Sequence, residues 1–187
     1  HGYVIVNEFL ETSKPNIWAC GDAIGKHMFK HVANYDVGIA WNNSQGTHKT
    51  PADYSTVPHA VFSYPEVAGV GLTTPEAIAT GKRVAVGKYN YANTGKGEAM
   101  GKPPGFVKVL VDADNFELLG GHIIGHQASV LVHELIAIMA TKDKSALPLT
   151  RAMHIHPALS EVVERAFWRL EQASQDHGEP DQHTHSH

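Results

Sequence analysis

Through the middle of the chain apolar residues fall in short runs, separated by Gly, Pro and polar clusters. This is the pattern of half-buried strands rather than helices. Residues 57–63, 67–72, 83–91, 106–111 and 118–125 are the strand candidates. The last two are joined by Asp112-Ala113-Asp114-Asn115, which carries hairpin turn chemistry. Toward the end of the chain the period changes. Leu159, Val162, Val163, Ala166, Phe167 and Leu170 recur three and four apart, predicting a helix over residues 158–172 with one apolar stripe. Ser129 is placed to cap another apolar helix over residues 130–141. Thr74-Pro75-Glu76 opens a short one with a hydroxyl cap, a proline and an acid, and Gly81 ends it.

Before residue 57 the pattern is different. Residues 3–6 and 17–20 read as short strands around a turn at 11–16, and a helix is expected over residues 31–44. A strand this close to the start, with no turn or cap before it, ordinarily pairs with something. The sequence reads as if entered midway. Polar residues 49–56, with Pro51, form a linker between two segments, 1–48 and 57–172. Strands in the middle with helices collected at the ends predict an α+β fold for the second, an antiparallel sheet with flanking helices.

Composition narrows the function without naming it. The chain has 187 residues, 42% hydrophobic and 18% charged, as an ordinary globular protein has. A net charge of -4 offers no basic field for nucleic acid or an anionic membrane surface. No apolar run approaches the roughly 20 residues that span a bilayer. The single cysteine, Cys20, excludes an internal disulfide framework and suits a reducing cytoplasm. It ends an apolar run and is expected to pack as a small hydrophobe. Residues 173–187 are expected to form a disordered His-rich tail, holding His177, His183, His185 and His187. A solvated tail or purification remnant is one reading of it, and loose binding of a divalent metal is the other.

Two places carry candidate chemistry. Gly21-Asp22 follows an apolar run, where in an α/β sheet ligands gather beyond the carboxyl ends of the strands. A carboxylate there accepts hydrogen bonds from sugar-like hydroxyls, although an isolated Gly-Asp is equally a turn or a helix cap. The second is His156-Pro157 followed by Glu161. Pro157 disfavours helical geometry at His156, leaving it extended ahead of a helix with Glu161 about one turn in. A carboxylate on one imidazole nitrogen fixes the tautomer and makes the other nitrogen a better base. The same residues also fit a plain helix start with an acid in its first turn. His154 reads as a packing or hydrogen-bonding residue.

Thr12, the apolar run 17–20, Gly21-Asp22, and then Met28 and His31, six and nine positions after the aspartate, resemble a motif of the pyridine nucleotide-disulfide oxidoreductases. Within that family they are most similar to the dihydrolipoamide dehydrogenases. His-x-His-Pro-x-x-Ser-Glu at residues 154–161 resembles the family's general-base motif. Residues 57–71 and 119–125 resemble its interface domain. The resemblance implies that residues 1–48 are the C-terminal piece of an α/β FAD-binding domain and 57–172 the interface (dimerisation) domain. It implies that Gly21 and Asp22 hold the ribityl chain of FAD, with Met28, Phe29, Lys30 and His31 along the flavin. It also implies that His156 is the base taking a proton from a thiol and Glu161 its orienter, the pair serving the other subunit of a homodimer.

Such enzymes carry electrons between a dithiol, such as dihydrolipoamide, and NAD or NADP. They need a redox-active cysteine pair and glycine-rich dinucleotide motifs, which these 187 residues do not contain. The chain is therefore expected to be inactive alone and to supply the dimer interface and the His-Glu pair to a longer parent. A mycothione or glutathione reductase-like parent is the alternative within the family, and a non-enzymatic oligomerisation module the alternative outside it.

Overall fold

In the second half of the chain Val107, Val109 and Val111 alternate with Lys108 and Leu110, and the alternation decides which way each side chain faces. The three valines are fully buried in one cluster, and Leu110 is buried in another on the opposite face. Burying a valine is worth about 1.5–3 kcal/mol, so a one-residue slip in register would cost several kcal/mol. The computed structural model describes residues 2–46 and 48–173. It divides into two compact units, His1–Val57 and Pro58–His187.

In the second unit β1 (His59–Val61), β2 (Glu66–Gly71), α2 (Thr74–Ala79), β3 (Val84–Asn90) and α3 (Gly95–Ala99) come first. They are followed by β4 (Phe106–Asp112), β5 (Leu118–Gly125), α4 (Ala128–Met139), α5 (Leu147–Arg151), α6 (Glu161–Ala166) and β6 (Leu170–Gln172). The first unit holds α1 (Lys30–Gln45). The six strands join in one sheet of order β1-β2-β5-β4-β3-β6, every pair antiparallel. Apolar residues of α4 (Leu131, Val132, Leu135, Ile138) and α6 (Val162, Val163, Ala166) share the larger cluster with the sheet valines, so both helices cover one face. Ala77 and Ile78 of α2 pack with Val84, Leu110 and Leu119 on the other. The expected antiparallel α+β architecture is the one observed.

Several details differ from the sequence pattern. The helix expected over 158–172 stops at Ala166. A 3-10 turn, Phe167–Arg169, follows, and Leu170–Gln172 leave it as a strand on the edge of β3. Helical periodicity continued through these residues, but pairing with an open sheet edge wins, a tertiary effect that local spacing does not encode. The start also shifts: residues 159–160 form a turn, so Glu161 opens α6 instead of lying one turn inside it. Ser129 does not cap α4, whose N-cap is Gln127. The Ser129 hydroxyl and amide both donate to Glu66 on β2. Thr73 rather than Thr74 caps α2, in a reciprocal capping box with Glu76.

In the first unit the runs at 3–6 and 17–20 form no ladder strand. A strand exists through its neighbour's hydrogen bonds, and among the described residues here only Glu11 and Trp18 make a bridge. Cys20 is half-buried beside the Leu10, Ile24 and Ala40 cluster, not at a buried strand end. Of the expected tail, Ala173 bonds to Val84 and residues 174–187 lie outside the described residues. No helix among the described residues is long and apolar enough to cross a membrane.

Candidate active site

Glu161 becomes a structural centre because α6 presents it at its first position while Val162, Val163 and Ala166 bury the helix against the sheet. The residue is almost fully buried, 4% exposed. Burying a carboxylate costs several kcal/mol unless donors replace its water. Three donors do so. His156 Nδ1 lies 2.9 Å from Oε1, Arg165 Nη2 donates to the same oxygen at 2.8 Å, and the Ala158 amide donates to Oε2 at 3.0 Å. Burial alone would push the Glu161 carboxyl up, but the bonds from His156 and Ala158 and the charge of Arg165 outweigh it. Glu161 is held below the usual glutamate range.

An ionised carboxylate accepts only, so His156 Nδ1 must carry the proton it shares with Glu161. In the neutral ring Nε2 is then the free acceptor. The imidazole is 66% exposed, and the peptide to Pro157 is cis. Its Cε1 edge rests on Gly95 at the start of α3: a β-carbon there would stand 2.8 Å from His156 Cε1. Only glycine leaves room for the ring.

Two residues back, His154 is gripped on both sides. Its Nδ1 donates to the Ala152 carbonyl at 3.2 Å and lies 3.6 Å from Glu164 of α6, while Nε2 lies 3.8 Å from Glu134 of α4. Burial raises the Glu134 carboxyl above the ordinary range. Between and beside these histidines, Met153 and Ile155 are 100% and 79% exposed.

In the first unit Asp22 is exposed on a 3-10 turn, Gly21–Ile24. Gly21 has φ +64, and a β-carbon on it would approach Ala33 of α1 to 3.0 Å, so turn and helix pack without space for a side chain. The Gly21 amide donates to buried Asp36 at 2.9 Å. Tyr54 donates to the other Asp36 oxygen at 2.8 Å, and burial with that carboxylate holds the phenol proton well above its usual pKa. Met28 and Phe29 are 55% and 37% exposed, and the Phe29 and His31 rings stack at 5.2 Å. Lys30 opens α1 and donates to Asn34; Phe29 provides no side-chain cap. An exposed carboxylate, a close glycine turn and an uncapped helix start beside aromatic and thioether groups fit a flavin with a polyhydroxylated chain.

Arg165, Glu134, Gly95 and Asp36 are the site residues that sequence reasoning missed. Arg165 stands four after Glu161, a helical ion-pair spacing that does signal itself. The other three lie 20, 61 and 15 positions from the groups they serve, at distances no local pattern reports.

A family model for the pyridine nucleotide-disulphide oxidoreductase dimerisation domain matches residues 57–167, and the chain belongs to this family. Among curated relatives, dihydrolipoyl dehydrogenase of Chlorobaculum parvum is 38% identical over 171 residues, 91% of this chain and 36% of that protein. Mycothione reductase of Mycobacterium tuberculosis is 38% identical over 177 residues, 90% of this chain and 38% of that protein. The chain thus spans a little over a third of the length of the relatives it matches. Among solved structures, the HOCl-induced flavoprotein disulfide reductase RclA of Escherichia coli, in its Cu(II) complex, superposes with a TM-score of 0.81. The identity is 25%, over 89% of this chain and 38% of that one. LpdA of Mycobacterium tuberculosis gives a TM-score of 0.79 at 24% identity, over 88% of this chain and 36% of that one, a likeness of fold.

Proposed function

We propose that this chain is the C-terminal part of a flavin-dependent dithiol/disulfide oxidoreductase of the dihydrolipoamide dehydrogenase type, which turns dihydrolipoamide and NAD into lipoamide and NADH. The observation that carries this reading is the His156 imidazole, fixed through Nδ1 on an ionised, buried Glu161 and open to solvent. Nε2 takes the proton of a substrate thiol, and Glu161 stabilises the positive charge that develops on the ring. The thiolate so formed attacks a disulfide contributed by the remainder of the parent protein, since the single Cys20 cannot form one. FAD, when bound, supplies the two-electron chemistry between thiols and the nicotinamide. Asp22 would accept hydrogen bonds from its ribityl hydroxyls, Gly21 would let the backbone approach, and Met28, Phe29, Lys30 and His31 would help to hold it.

The parent is a homodimer in this proposal. Met153 and Ile155 put large apolar side chains at the surface on either side of His154, which supports cover by a second subunit at the base site. A cytoplasmic, reducing setting suits a lone thiol. Equal identity to a mycothione reductase and a dihydrolipoyl dehydrogenase supports a second reading, reduction of a low-molecular-weight disulfide.

The test is to express the complete gene product with FAD and compare dihydrolipoamide plus NAD with mycothione disulfide and glutathione disulfide plus NADPH. Dihydrolipoamide-dependent NADH formation is expected. Turnover confined to a disulfide substrate would replace the first reading by the second. No turnover in any direction would leave an oligomerisation module.

A further inference from the structure

The Glu161 carboxylate is shared. Arg165, one turn further along α6, donates to Oε1 at 2.8 Å, the same oxygen that His156 holds at 2.9 Å. Its other terminal nitrogen reaches the Asn93 carbonyl at 3.4 Å, two residues before the Gly95 that backs the imidazole. The guanidinium lies 5.9 Å from both the Tyr89 and Trp168 rings, and its Nε is buried without a hydrogen-bond partner among the described residues. A half-buried guanidinium with one donor unused is costly to keep. It ties together the two walls that hold the ring: Glu161 on one side, the 93–95 turn on the other.

Resting on the proposed function above, we propose that Arg165 is a positioning residue for the base: it pins the carboxylate and the Asn93–Gly95 wall around His156, and it shares Oε1 with the imidazole that accepts a thiol proton. A fixed cation beside the shared carboxylate opposes a second positive charge on the ring. Removing it leaves Oε1 to the imidazole alone. The charged groups around the ring are few. Glu161 and Arg165 face it from α6, and α3 contributes the backbone at Gly95 with exposed Lys96 beside it. His154, Glu134 and Glu164 associate with one another.

Two measurements test this, one independent of turnover. In the 187-residue chain, NMR follows the Nδ1 proton that His156 shares with Glu161. It should move downfield in Arg165→Gln, and lie between that position and wild type in Arg165→Lys, which keeps the charge without the fork. In the complete gene product, the acid limb of the pH–rate profile for dithiol oxidation should move up by roughly one pH unit in Arg165→Gln. The change should fall on kcat, with KM within about twofold. Arg165→Lys should recover most of the shift. An unmoved Nδ1 resonance together with an unmoved acid limb in both variants would overturn the assignment, as would a loss confined to KM. A wild-type gene product that oxidises no dithiol refutes the function instead, and the NMR arm then decides the contact by itself.

Discussion

The His156–Glu161 pair and the Asp22–His31 segment are both short, both polar and both read from motifs, yet the fold treats them differently. The pair is held within its own unit: a buried carboxylate with three donors, an imidazole against Gly95, a helix anchored by Val162 and Val163. The segment has an internally braced backbone, through Gly21 and Asp36, but presents Asp22, Met28 and Phe29 outward. A base needs one fixed partner, and a helix turn supplies it. The segment proposed to hold a flavin offers an open surface instead, which a bound ligand would complete. The first region should therefore be rigid and pH-sensitive on its own, and the second should gain order only on binding.

The sharpest break in that contrast comes from the imidazole. His156→Gln in the complete gene product should lower dithiol oxidation by about 10²–10⁴-fold, the usual worth of a general base, while FAD content stays at the wild-type level. Unchanged turnover in stopped-flow assays would remove His156 from the chemistry. Asp22→Ala should do the reverse. Losing charge-assisted bonds of about 1.5–3 kcal/mol should weaken FAD binding by about 10–100-fold, read by flavin fluorescence on dilution, and should leave the His156 Nδ1 signal in place. Equal FAD retention would show that the exposed carboxylate has no such role.

Smaller effects sharpen the picture. Gly95→Ala places a carbon 2.8 Å from the ring, so the imidazole must shift. A displacement of that kind should reduce kcat by about tenfold, and a normal rate would mean that the wall does not position the base. The smallest effect is on stability. The Glu161 pKa is lowered in the folded state, so its contribution is complete above the unfolded value of about 4.3 and is lost as pH falls through the folded value. Calorimetry should find Glu161→Gln less stable than wild type at pH 7, with the difference shrinking below about pH 4, at about 2–4 °C per kcal/mol. A difference that stays constant with pH would place the carboxylate's value elsewhere.

Much of the fold was legible because burial repeats. Strands β2 to β5 stand close to the predicted runs, since Val107, Val109 and Val111 alternate with residues facing the other way. The runs at 3–6 and 17–20 misled because extended backbone becomes a strand only beside a partner. Residues 167–172 misled because a free edge at β3 outweighed helical spacing.

By itself the sequence determined the antiparallel α+β core, the pairing of an imidazole with an acid five positions on, and the glycine-aspartate turn. Each depends on neighbours within one strand or one helical turn. Only the tertiary structure decided that Glu161 is buried, that Gly95 makes room for His156, and that Asp36 braces Gly21. Those contacts join residues far apart in the chain. Their free energy comes from burial and hydrogen bonds that exist only once the packed elements have excluded water.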